Sequence, residues 1–96
     1  MSLFKRELPQ QRQVFRNDGT APLEVMVELI PHRYVLQPGD EMVVLADAPT
    51  TNEGFTTNAY DGGLQIYAAC DIEPTVLING QPAIPDWTTP GPNAEA

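Results

Sequence analysis

Leu23-Glu24-Val25-Met26-Val27-Glu28-Leu29-Ile30 is the stretch that decides the fold. Leu23, Val25, Val27 and Leu29 fall on one side of an extended chain, and Glu24, Met26, Glu28 and Ile30 on the other. Period-two alternation of this kind marks a half-buried β-strand. A helix would also gather Glu24 and Glu28 on one side. The valines, and Pro22 and Pro31 at the two ends, favour the strand.

Working outward, turn chemistry divides the rest of the chain into short extended pieces. Asn17-Asp18-Gly19-Thr20 is a turn, and residues 11–16 before it form a first edge strand with Val14 or Phe15 facing in. Residues 34–36 are a second short strand, closed by Pro38-Gly39, a pair suited to the two central positions of a type II turn. Residues 42–46 are mostly apolar and read as a central strand, whereas residues 47–62 form a polar loop with a brief edge strand over 55–60. Asp61-Gly62-Gly63 turns the chain into residues 64–70, where Leu64, Ile66, Ala68 and Cys70 share one side. Residues 75–78 form another strand. Asn79-Gly80 then signals a type I′ hairpin, with a return over 81–84 weakened by Pro82.

These short strands, with no helix-period segment and with ten prolines and seven glycines in 96 residues, predict one all-β domain. The expected architecture is a single small antiparallel β-sandwich with extended N- and C-terminal arms. Its interior is expected to hold Leu23, Val25, Val27, Leu36, Val44, Leu64, Ile66 and Ile78. Residues 1–16 are a basic arm or edge strand, 17–86 the body, and 87–96 a Pro-rich tail. At 42% hydrophobic residues the chain has enough apolar content to fold, although a domain this small buries only a modest core.

The stretch from Asn17-Asp18-Gly19-Thr20-Ala21-Pro22-Leu23-Glu24-Val25 to Tyr34-Val35-Leu36-Gln37-Pro38-Gly39-Asp40-Glu41 resembles a pattern of small immunoglobulin-like modules. In these a polar turn leads into one strand and a Leu-x-Pro-Gly-Asp/Glu turn into the next. The resemblance covers about residues 15–84 and implies an immunoglobulin-like sandwich, without the Cys…Trp…Cys framework of antibody domains. The Pro-Gly-Asp stretch is also similar to part of a cupin jelly roll, so the choice between immunoglobulin-like and jelly-roll topology stays open. Cupin metal sites use several histidines, and this chain has one.

Charge is distributed unevenly. Lys5, Arg6, Arg12 and Arg16 lie in the first sixteen residues against Glu7, giving +4 and −1, or +3. The other eighty residues hold Arg33 and twelve acids, giving −11, and the two parts make the net charge of −8. An acidic body repels nucleic-acid phosphates, so no nucleic-acid partner is expected. No apolar run approaches the ~20 residues that span a bilayer, so no membrane partner is expected either. No apolar run follows Lys5-Arg6, so no signal peptide is expected, and a cytoplasmic or virion location is. One cysteine permits no intrachain disulfide.

No catalytic residues, metal ligands or cofactors are assigned. His32 is the only histidine and Cys70 the only cysteine, too few for a cupredoxin-type copper site or a closed zinc site. His32 reads as a loop residue. Cys70 reads as a buried thiol, with Asp71 and Glu73 nearby to oppose its ionisation. Ser2 is the only serine and stands at the terminus, which excludes a serine hydrolase. The acids read as a solvated face without EF-hand spacing.

The remaining expectation is a non-enzymatic structural or assembly protein, binding protein surfaces by self-association or within a larger assembly. Its contact residues are expected to be Phe4, Lys5, Arg6, Leu8, Arg12, Arg16 and Trp87, with the charges steering and the apolar side chains anchoring. Virion decoration and head-completion proteins are built in this style, an analogy at the level of fold alone. A soluble cellular adaptor or ligand-binding β-module is the alternative, and a small enzyme the third possibility.

Overall fold

The computed structural model describes residues 10–28, 31–47, 55–67 and 74–90. Eight strands follow in chain order: β1 (Gln10–Arg16), β2 (Leu23–Glu28), β3 (His32–Leu36), β4 (Glu41–Asp47), β5 (Thr56–Tyr60), β6 (Gly63–Tyr67), β7 (Thr75–Ile78) and β8 (Gln81–Pro82). They form two four-stranded sheets, β1-β4-β7-β8 and β3-β2-β6-β5. The all-β sandwich expected from the alternation and the turns is what the chain forms. Residues 29–30 and 68–70, the ends of two expected strands, lie outside the described residues, as does Cys70.

One pairing departs from an antiparallel arrangement. β2 and β6 run parallel, with Val25 opposite Leu64 and Val27 opposite Ile66, while the other pairings are antiparallel. Parallel neighbours need a long crossover, and here the chain visits the other sheet through β4 before it returns.

Alternation determines what lies between the sheets. Val25 and Val27 of β2, Tyr34 and Leu36 of β3 and Ile66 of β6 meet Met42 and Val44 of β4 and Val76 of β7 in one buried cluster. Leu23, Leu64 and Ile78 pack against it partly buried, so every residue expected inside does contribute to the core. On β1 Phe15 packs inward and Val14 faces solvent, which resolves the choice between them. Tyr34 is also a core residue.

The turns are built as their residues require. Asn79 and Gly80 have φ of 53° and 80°, the positive pair of a type I′ turn between β7 and β8. Asp40 donates its N–H to the Gln37 carbonyl at 2.9 Å across the Pro38-Gly39 turn. Buried Asn17 joins two turns. Its Nδ2 donates to the carbonyls of Ala21 (2.9 Å) and Leu36 (2.8 Å), and its Oδ1 accepts from the Gly19 N–H (2.9 Å). Its polar atoms are thus satisfied where water cannot reach.

Beyond β8 the chain crosses from one sheet to the other. Ala83 N–H donates to the Val76 carbonyl of β7, and Asp86 N–H to the Arg33 carbonyl of β3, at 2.9 and 2.7 Å. Residues 83–86 therefore bridge the two sheets and meet the β3 edge at Arg33.

Candidate functional site

Of the expected contact residues, Phe4, Lys5, Arg6 and Leu8 lie outside the described residues. Arg12 and Arg16 lie on β1, an edge strand of the sandwich, and are exposed. The basic lead is thereby divided. Residues 1–9 carry +2 −1, or +1, and the remainder carries +3 −12, or −9. Arg16 makes an exposed ion pair with the Asp18 carboxylate at 3.0 Å and stands opposite Glu41 in register, so acids of the body lie beside it.

Arg12, Val14 and Arg16 share the outward face of β1. Val14 is 38% exposed and begins a cross-strand row, Val14–Val43–Leu77–Pro82, that runs over the outer face of its sheet. The outer surface therefore presents apolar side chains next to Arg12.

The outer face of the other sheet carries a polar chain that the sequence reading missed. Arg33 is buried although it faces away from the core, and its Nε bonds the Glu24 carboxylate. The second oxygen of Glu24 accepts the Tyr60 hydroxyl at 2.7 Å. Arg33 Nη1 donates to the Asp86 carbonyl at 2.9 Å. One guanidinium thus ties together β2, β3 and the crossing segment. The signal was present in the sequence: a lone base among acids, diagonal to Glu24 once the hairpin register is drawn. The Arg33 hydrogen bond holds the Glu24 carboxyl below its ordinary value, with a smaller contribution from Tyr60. Burial, then the Glu24 carboxylate, push the Tyr60 hydroxyl up to about 12.

Tyr60 lies across Gly63, its partner in the β5–β6 hairpin. A Cβ on Gly63 would fall 2.5 Å from the Tyr60 ring and 2.7 Å from the Glu24 backbone oxygen. Only glycine allows this approach, a different role from the turn position assigned to it from sequence. Gly63→Ala is accordingly expected to destabilise the protein by about 1–3 kcal/mol, as overpacking does. Urea unfolding checks this, and Gly19→Ala, where the nearest atom is a side-chain oxygen at 3.3 Å, serves as comparison.

Trp87 sits in a second polar device. The Asp86 carboxylate accepts from the N–H groups of Thr88 and Thr89 at 2.9 and 3.0 Å, and from their hydroxyls at 3.1 and 2.5 Å. These bonds, the Thr89 hydroxyl foremost, hold the Asp86 carboxyl well below the usual carboxylate range. Trp87 occupies the resulting turn at 58% exposure, with Ile84 just before it at 84%. The tryptophan therefore lies at the surface rather than in the core.

His32 opens β3 opposite Val27 and is half-buried, a strand position rather than the loop expected. Among the described residues no group of three His, Cys, Asp or Glu side chains is placed to hold a metal ion, and no helix is long and apolar enough to cross a membrane. No family model, curated protein or solved structure matches the chain.

Proposed function

We propose that the protein is a non-enzymatic assembly module that binds protein surfaces, in the manner of virion decoration or head-completion proteins. The observation that carries this reading is the presentation of Trp87 and Ile84. Large apolar side chains are exposed on a segment that Arg33 and Asp86 hold in place. Ordering an interface residue before binding lowers the entropic cost of association, and tryptophan is prominent among residues that dominate binding energy.

The lead supplies the second half of the contact. Lys5 and Arg6, with Arg12 on β1, steer it toward the acidic body of a neighbouring copy, and Phe4 and Leu8 anchor it. Exposed ion pairs are worth at most about 1 kcal/mol each, so the apolar anchors must provide most of the affinity. The experiment is sedimentation velocity on the intact chain, a chain lacking residues 1–9, and Trp87→Ala. Gln10 and the rest of β1 are retained because they pair with β4. The intact chain is expected to form higher-order species that weaken as salt screens the charges, and each variant to form fewer of them. If both variants sediment as the intact chain does under all conditions, the assembly reading fails.

A further inference from the structure

Four strands bound the two sheets: β1 and β8 in one, β3 and β5 in the other. An open edge carries unpaired N–H and C=O groups, and natural sheets guard it with charge, proline, brevity or a covering segment. Three of these edges are guarded. β1 carries Arg12 and Arg16, and β8 is two residues long and includes Pro82. β3 is covered where Asp86 donates its N–H to Arg33. β5 differs from all three. Its sequence, Thr56-Thr57-Asn58-Ala59-Tyr60, has no charge and no proline, and every residue is exposed. Among the described residues only β6 pairs with it. Yet it is anchored, since Tyr60 is held by Glu24 and lies against Gly63.

We propose that β5 is a self-association edge whose partner is β5 of a second copy of this chain. The two pair antiparallel about a two-fold axis, so that their sheets join into one continuous sheet. The hairpin geometry sets the register. Asp61-Gly62 is a two-residue loop, with Gly62 at φ 84°, closing on the pair Tyr60–Gly63. Such a loop closes on a hydrogen-bonded pair, so Tyr60, Asn58 and Thr56 turn their backbone groups toward β6. Thr57 and Ala59 then point N–H and C=O outward.

With the axis beside Asn58, Thr57 of each copy meets Ala59 of the other, and each pair exchanges N–H···O bonds in both directions. Asn58 faces Asn58 of the second copy in a non-hydrogen-bonded site, where opposed Cα atoms are only about 4.5 Å apart. Their amides both donate and accept, so they satisfy each other. Thr56 faces Tyr60 of the second copy, a β-branched residue against an aromatic. The strand brings no like charges to the axis, although each chain carries −8. An isologous contact of this kind closes on itself as a dimer.

The test is the mass of the intact chain by light scattering as protein concentration rises from micromolar to millimolar. At salt that screens docking through the lead, the mass should approach twice 10.5 kDa, and dimerisation should tighten with added salt, because screening relieves the repulsion between two acidic chains. Docking through the lead weakens with salt, so the two associations separate, and deletion of residues 1–9 should leave this dimer intact. Asn58→Lys and Asn58→Glu each place like charges at the axis and should weaken dimerisation by at least about tenfold. Asn58→Asp does so with almost no change of shape. An equimolar mixture of Asn58→Lys and Asn58→Glu should recover a heterodimer, seen by native mass spectrometry. A single monomer mass at every concentration overturns the proposal. So does undiminished dimerisation of all three variants, or two folded charge variants that fail to pair on mixing.

Discussion

Glu24→Ala is expected to destabilise the protein by about 3–5 kcal/mol, because it leaves the Arg33 guanidinium buried without its carboxylate. The Arg33 side chain is 8% exposed and that of Glu24 19%, so solvent cannot replace the lost partner. Tyr60 would lose its acceptor as well. A domain of 96 residues has about 5–15 kcal/mol of stability in all, so the loss is a large share of the total. Removing both charges in Glu24→Leu with Arg33→Met should cost less than Glu24→Ala alone, since no charge is then left stranded. Urea unfolding of the three proteins measures this. If Glu24→Ala and the double variant lose equal stability, the pair is not the reason.

The same carboxylate makes stability depend on acidity. Its folded-state value is depressed below the ordinary 4.5, so the folded state favours the ionised form. That contribution is present above the ordinary value and is lost as pH falls through the lower folded one. The acid limb of the stability curve should therefore flatten in Arg33→Met, where the Glu24 carboxyl returns toward its ordinary value.

Most of the sandwich was legible because its strands alternate cleanly and its turns use residues with one backbone preference. Val25, Val27, Leu36 and Ile66 fell inside by period alone. Asn79-Gly80 located its hairpin because both residues accept positive φ. The parallel β2–β6 pair was not legible, because alternation fixes which face a residue occupies and says nothing about which strand lies beside it. The boundary of the lead shows a similar limit. Residues 1–16 read as a basic arm or an edge strand, and it is the seven residues of backbone pairing with β4 that make Gln10–Arg16 the strand. Side-chain polarity at a sheet edge carries little information about the main chain behind it.

The candidate surfaces were legible in residue type and not in arrangement. Trp87 stood out as an expected contact residue, but the turn that presents it depends on Asp86 reaching both Thr88 and Thr89. Arg33 was counted as a charge rather than recognised as a tie. Its role needs the β2–β3 register and the return of the chain at Asp86 some fifty residues later, a contact separated by 53 positions. Long-range contacts of this kind leave no periodic trace. That β5 pairs on one side only, among the described residues, emerges by comparison with the other edges, and so needs the strand order.

Leu36→Ala should cost about 2–5 kcal/mol, the range for removing a buried leucine side chain without full collapse of the space. Leu36 is fully buried, at 0% exposure, in the cluster shared by both sheets. Its neighbours are poorly placed to fill the gap. The Leu36 carbonyl is held by Asn17, and the turn that follows is closed by the Gln37–Asp40 bond, so the backbone has little freedom to move inward. Val14→Ala is the matched control on the opposite side of a strand. At 38% exposure on the outer face it should change stability by no more than about 0.5 kcal/mol. For a domain of this size each kcal/mol moves the melting temperature by about 4–8 °C, so the leucine variant should melt at least about 8 °C lower. Calorimetry of the two variants beside the intact chain decides the point. If the shifts are equal, the sheets do not enclose Leu36 in the way their register requires.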